Sequence, residues 1–354
     1  MQIDFHHAVT YAVARLAGFN HKKADLIAYC AQYVDDATNA GLIHFNNGAM
    51  YKRISSAHKM LDYRNLEGLA NHQVWIPFHF LPGNGGEPAG KNPEGSFIDK
   101  IICRPNSPIA QDMVRACIEQ QGASYGLHRL GITMHVFADT WAHQGFAGVN
   151  HEVNDADDIL DPNGKPAKKL MERITSFFVG EALPLGHGAV LSYPDRPYLK
   201  WSYTNGRGEK IIRDNPADFI EAADEMCKVM QRFLLKDADA EVEGLPEKDK
   251  SKLATTLRTI KFDDGAKRHE KWLQAIESGR FSFGPETLSY IPKGKASWKH
   301  KALGTTKWVD QDKDVHRYRK AFLKSDWKFF HDALQAHRFA VLHDILPRYG
   351  ICAA

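Results

Sequence analysis

Residues 127–146 read LHRLGITMHVFADTWAHQGF, and within them His135, Asp139 and His143 recur at every fourth position. At 100° per residue these three fall within about 80° of arc, so their side chains leave one face of a single helix. The intervening Val136, Phe137, Ala138, Trp141 and Ala142 are apolar, which marks a helix for the protein interior. Two imidazoles and a carboxylate buried together without a partner are costly, and a divalent ion such as Zn²⁺ removes that cost. The competing reading is a core helix whose histidines are satisfied by the aspartate and by backbone carbonyls.

The rest of the chain is consistent with a protein built around such a site. It has 354 residues, enough for two domains or one large one. Hydrophobic content of 43% and charged content of 25% are those of an ordinary globular protein. Lys+Arg 46 against Asp+Glu 43 is too balanced for a chain whose main task is neutralising a nucleic-acid backbone. There are 18 histidines, and twelve of them precede residue 188. The five cysteines form no CxxC pair, which predicts reduced, buried thiols over a disulfide scaffold. No secretion signal opens the sequence and no 18-residue apolar run interrupts it, so synthesis in the cytoplasm without a transmembrane segment is expected. Leaderless secretion as an effector stays open. Walker-type phosphate loops and a GxSxG elbow are both missing, which argues against a bound nucleotide cofactor and a serine lipase.

Periodicity predicts helices at 5–20, 22–38, 50–62, 166–180, 217–235, 250–261, 264–278 and 316–346, with a long one from 107 to 146 broken near Gly122 or Gly126. The Gly- and Pro-rich stretches 82–108 and 155–167 read as loops, and alternation around Asn205-Gly206 predicts a small β-hairpin within 190–214. The expected fold is mainly α. Residues 1–190 would form a helical metal-binding catalytic domain. Residues 191–354 would form a helical region carrying the hairpin, separate or packed on the first as one large domain.

Other residues suit metal chemistry. His6-His7 opens an apolar helix, and Asp35-Asp36 closes the next one, where the helix macrodipole disfavours negative charge unless solvent or a cation is near. His79 sits in Trp75-Ile76-Pro77-Phe78-His79-Phe80-Leu81-Pro82, held in direction by aromatics and prolines. His187 lies between Gly186 and Gly188, a setting that suits a ligand or an ordinary turn equally.

In this order the pieces resemble the zinc-dependent phospholipase C family, which is related in fold and metal site to the P1/S1-type nucleases. LHRLGITMHVFADTWAHQGF resembles that family's ligand-bearing helix, and HFLPGNGG its His-Phe-x-x-Pro segment. The resemblance implies a multi-helix bundle with long loops and one to three ions, zinc or another divalent metal. Asp35 or Asp36 with His79, His135 and Asp139 would hold one. His6 or His7, with Asp139 as bridge, would hold a second. His143 with His151 and Asp155 would hold a third, Asp155 standing where the family usually has Glu. The family's opening Trp has no counterpart among the five residues before His6, which leaves Asp4 as a substitute donor.

Such a site implies a metal-dependent phosphoester hydrolase, phospholipase C-like, acting on a phosphoester substrate such as phospholipid at a membrane surface. Whichever of Asp35 and Asp36 is not fully engaged as a ligand would serve as general base. Two alternatives remain at this stage. One is a nuclease stacking bases on Trp75, Phe78, Phe80 and Trp141; the other is a non-enzymatic protein with one structural zinc. Oligomeric state is left open.

Overall fold

The computed structural model describes residues 1–57, 68–161, 163–166, 186–311 and 313–352. The helix expected at 166–180 and the end of the one expected at 50–62 lie outside these residues.

A π-helical opening, Asp4–Val9, runs into the α-helix Thr10–Leu16, and the two together form α1. Helix α2, His21–Asp36, starts where the Asn20 side chain accepts from the Lys23 N–H at 3.0 Å. Next come β1, Gly41–Phe45, and β2, Met50–Arg53, then α3, Gly68–Phe78, and the short α4, Phe97–Ile101. The long helix expected at 107–146 is two helices, α5, Pro108–Glu119, and α6, Gly126–Ala142. Strand β3, Ala156–Leu160, pairs with β4, Lys200–Asn205, which turns at Asn205-Gly206 into β5, Lys210–Asp214. The α-helices that follow are α7, Asn215–Leu235; α8, Glu247–Thr259; α9, Gly265–Glu277; α10, Trp298–Leu303; and α11, Asp326–Phe339, which a π-helical turn, Ala340–Ile345, continues.

Four expectations are corrected: of the stretches expected to be loops, 82–108 carries α4 and 155–167 carries β3, and two expected helices begin as strands. Residues 50–53 are a strand, and 315–316 form β6, which pairs in parallel with β1, so the stretch expected to be helical from 316 opens with a strand and a 3₁₀ turn, Lys320–Lys324, and its α-helix starts at Asp326. Among the described residues the architecture is therefore a mixed one, about 51% helical with two three-stranded sheets, β2-β1-β6 and β3-β4-β5, and not the mainly α fold with one hairpin that periodicity suggested. Strand β6 leaves little local signal because its partner β1 lies far away in sequence, whereas β1 and β2 form a local hairpin around Asn47-Gly48 whose signal the apolar spacing of 50–62 outweighs.

Helix α6 is the axis of the molecule. All its residues except Leu127 are buried, and α2, α5, α7 and α11 pack around it. The largest apolar cluster draws on both halves of the chain, from Met1 and Phe5 through Phe137 and Trp141 to Trp272 and Ile351. Cys30, Cys103, Cys117 and Cys227 are buried thiols.

Where α2 crosses α6, Gly131 permits the approach: a Cβ there would lie 2.5 Å from both the Cys30 Cβ and the Ile27 carbonyl oxygen. That approach carries the Ala31 carbonyl to 2.7 Å from His135 Nδ1, so the packing aims a functional side chain. Alanine normally stabilises a helix relative to glycine. Here Gly131→Ala is expected to lower the unfolding free energy by about 1–3 kcal/mol, the usual cost of overpacking. Gly122→Ala meets no atom within 4 Å and should stay within about 0.5 kcal/mol in the same denaturant titration. A neutral or stabilised Gly131→Ala would contradict the crossing described.

Candidate metal centre

Seven of the residues singled out by spacing and resemblance converge at one end of α6. Asp139 is 1% exposed, and its two oxygens are surrounded by nitrogen. His6 Nε2 lies 3.2 Å from Oδ1; His135 Nε2 and His79 Nδ1 lie 3.2 and 3.4 Å from Oδ2. Asp35 Oδ1 completes this group, 3.8 Å from His135 Nε2 and 3.9 Å from His79 Nδ1. A second group adjoins it. His143 Nε2 and His187 Nε2 approach the two oxygens of Asp195 at 3.6 and 3.8 Å. The α-amine of Met1 joins the groups, 2.5 Å from Asp139 Oδ1 and 3.2 Å from Asp195 Oδ1.

Four of the imidazoles have their protonation pattern fixed by backbone. A carbonyl oxygen only accepts, so the ring nitrogen facing it carries the hydrogen. His135 Nδ1 donates to Ala31, His143 Nδ1 to His79, His187 Nδ1 to Leu191 and His79 Nε2 to Ser56, at 2.7, 2.7, 2.6 and 2.9 Å. In each neutral ring the other nitrogen is then a lone pair aimed into the cluster. His135 Nε2 and His79 Nδ1 face each other at 3.2 Å, an arrangement that repels unless something positive lies beside it. Backbone carbonyls orienting imidazoles in this way are the usual outer partners of metal-binding histidines.

The electrostatics agree. Burial pushes His6 and His187 down to about 4 and lowers His79, so these rings stay neutral near pH 7. Burial alone would raise Asp139, but His143, the Met1 ammonium, His135 and His6 hold it well below the usual carboxylate range. Asp195 is likewise held low against burial, chiefly by the Met1 ammonium and His187. Burial opposes the charge on the Met1 amine, yet Asp139, Asp195 and Asp35 raise it to about 11. Three carboxylates against one ammonium leave a net negative charge among mostly buried groups. Both ring nitrogens of His6, Asp139 Oδ2 and Asp195 Oδ1 are buried without a hydrogen-bond partner. Inward lone pairs, unpartnered carboxylate oxygens and excess negative charge are a donor set that fits divalent cations.

The fold determines which candidates reach the cluster. The π-helical turn sends His6 toward α6 and His7 the opposite way, where His7 Nδ1 lies 2.9 Å from His269 Nε2. At the end of α2 Asp35 faces the cluster, whereas Asp36 accepts from the Tyr290 hydroxyl at 2.6 Å. Asp4 is buried against Arg268, whose Nε donates to it at 2.6 Å, and takes no place among the ligands. His151 and Asp155 are also elsewhere. Asn154 between them binds the Ala147 and Val149 carbonyls, and His151 Nδ1 accepts from Val153 at the surface. His187 and Asp195 take the positions at His143 that the resemblance gave to His151 and Asp155. Asp195 and the Met1 amine were not anticipated; the only sequence signal was the turn-rich run from Gly186-His187-Gly188 to Tyr193-Pro194-Asp195.

His143 stands just past the last turn of α6, as its C-cap. Arg213, from β5, donates to the Trp141 and Ala142 carbonyls at 2.9 and 3.1 Å, closing the helix end that carries His143.

Protein purified without a histidine tag should contain two or more equivalents of a divalent transition metal by elemental mass spectrometry, and His135→Ala with Asp139→Ala should lose most of it. Chelation should lower the melting temperature of the wild type, since an ion bound at 100 times its Kd stabilises by about 2.7 kcal/mol. A metal-free wild type, unmoved by added zinc, would contradict this assignment. No curated protein and no solved structure is significantly similar to this chain. A family model described as a family of unknown function (DUF6765) matches residues 1–345, and the chain belongs to that family.

Proposed function

We propose that the protein is a divalent-cation-dependent phosphoester hydrolase with a multinuclear zinc site, related in architecture to zinc-dependent phospholipase C. The observation that carries this reading is Asp139, a buried carboxylate with imidazole nitrogens converging on both of its oxygens. His6, Asp35, His79, His135, Asp139 and His143 also occur along the chain in the order that the resemblance implies.

His79, His135 and Asp139 would hold one ion and His143, His187 and Asp195 another, while His6, which faces Asp139, would share a third with it. Such ions acidify water and neutralise phosphoryl oxygens as charge develops in the transition state. Asp139 serves both groups and fixes their separation. Asp35 is the carboxylate at the rim: its side chain is 33% exposed, against 1% for Asp139 and 10% for Asp195. That exposure lets it meet substrate and water, and it is the candidate general base. The Gln32 amide donates to both Asp35 and Asp36 at 3.4 Å, and the Tyr290 hydroxyl fixes Asp36, so the carboxylate pair is held from behind.

The two other readings have less support. Of the four aromatics offered for base stacking, Phe78, Phe80 and Trp141 are core residues, at most 5% exposed, which leaves a half-buried Trp75 as the single stacking surface among them. A structural zinc needs four closed ligands, and the donors here exceed that and include a partly open carboxylate.

Zinc-loaded protein is expected to hydrolyse bis-p-nitrophenyl phosphate. Asp35→Asn should keep most of the bound metal and lose roughly 10²–10⁴ in kcat, the range for a general base. Metal-replete protein inactive on phosphodiesters, phosphomonoesters and phospholipids alike would overturn the reading.

A further inference from the structure

The charge of this chain is unevenly placed. Between Lys293 and Lys328 the sequence has eleven lysines and arginines against four aspartates, an excess of seven, although the whole chain, with 46 against 43, has an excess of three. The remainder is therefore net acidic. Lys295, Lys301, Arg317, Lys320 and Lys324 are exposed and make no ion pair among the described residues.

This segment is built onto the β2-β1-β6 sheet. Lys299 donates to the Lys307 and Trp308 carbonyls at 2.8 and 3.0 Å and to Asp310 at 2.8 Å. Asp310 in turn accepts from Arg53 of β2 at 2.5 Å. Within the sheet Met50, His44 and Val315 stand side by side across the strands, and Leu42 pairs with Lys52 in the next row. One face, with Ile43, Phe45, Arg53 and His316, is buried. The other presents Leu42, Met50 and Val315 at 53%, 64% and 62% exposure, with Lys52 beside them and Arg317 just beyond β6. Aliphatic tips raised among unpaired cations are poorly suited to water alone.

The same region borders the metal centre. Tyr290, three residues before Lys293, bonds Asp36 beside the rim carboxylate Asp35, and Tyr29 of α2 donates to the Ile291 carbonyl at 2.6 Å. On the other side β2 leads within three residues to Ser56, whose carbonyl orients His79.

We propose that the outer face of the β2-β1-β6 sheet, with the basic segment 293–328, docks the protein on an anionic phospholipid surface and brings that surface beside the Asp35 rim. Lysine and arginine are drawn to the negative leaflet, and Leu42, Met50 and Val315 enter its interfacial layer. The apolar side chains most exposed on the sheet face, Leu42, Met50 and Val315, are aliphatic, and the one ring between them, His44, is half-buried, which favours lipid over single-stranded nucleic acid. No helix among the described residues is long and apolar enough to cross a membrane, so the attachment is peripheral. The inference rests on the hydrolase reading only for its link to catalysis, because docking is read without turnover.

The test is cosedimentation with vesicles at about 0.1 M salt, where charge is only partly screened. Binding is expected to equimolar phosphatidylglycerol and phosphatidylcholine and to be lost with phosphatidylcholine alone. Arg317→Gln with Lys320→Gln should weaken it roughly thirtyfold, about fivefold per charge removed from the surface. Met50→Asp with Val315→Asp should weaken it comparably, and all variants should melt as the wild type does. Equal binding to neutral vesicles, or variants that bind undiminished, overturns the proposal. Tighter binding to a DNA or RNA oligomer than to the anionic vesicles, or a dimer dissolved by Met50→Asp with Val315→Asp, overturns it in favour of those occupants. Vesicle binding by a protein inactive on every phosphoester leaves docking standing and defeats the hydrolase reading alone.

Discussion

Asp139 is a carboxylate almost wholly removed from water, and the rest of the structure is arranged around that fact. An ionised carboxylate in such a place persists only where opposite charge or donors replace its hydration. The chain supplies the Met1 ammonium and three imidazoles, but two of those rings have spent their hydrogen on backbone carbonyls and turn lone pairs to the carboxylate. With Asp35 and Asp195 nearby, the deficit of positive charge grows. A protein can tolerate this arrangement at its centre if cations complete it.

Packing delivers these groups to one point from distant parts of the sequence. Gly131 brings α2 against α6, and that single contact sets both the orientation of His135 and the reach of Asp35. The Arg268 guanidinium, buried with Asp4, ties α9 to the π-helical turn that aims His6 inward. Breaking such a buried pair typically costs 3–5 kcal/mol, because the remaining charge is stranded. Arg213 from the second sheet holds the end of α6 where His143 leaves it. The small sheets thus serve the helical core at its functional end, and the first of them also carries the exposed aliphatic and basic face.

Much of the centre was legible in the sequence, for identifiable reasons. His135 and Asp139 share one apolar helix, so their spacing alone places them together. Acidic residues closing α2 conflict with its dipole, and that conflict marked Asp35-Asp36 as a place for a cation. What spacing could not decide was which member of each adjacent pair turns inward. For His6 and His7 the π-helical turn decides, and for Asp35 and Asp36 the Tyr290 hydroxyl does. Asp195 escaped notice because it belongs to no helix and its partner His143 lies far away in sequence. The β1–β6 pairing was invisible for the same reason: His44 and Val315 adjoin only after the intervening chain has folded. Local pattern records what a residue needs, while long-range structure decides what it meets.

The central claim is that divalent cations complete the Asp139 cluster. Its most direct test is anomalous scattering at the zinc edge from crystals grown with zinc and measured above and below that edge. The account predicts density within about 2.0–2.2 Å of His135 Nε2, His79 Nδ1 and an Asp139 oxygen, with a further peak between His143, His187 and Asp195. Anomalous density confined to surface residues, with the cluster filled by water or by the Met1 ammonium alone, would contradict it.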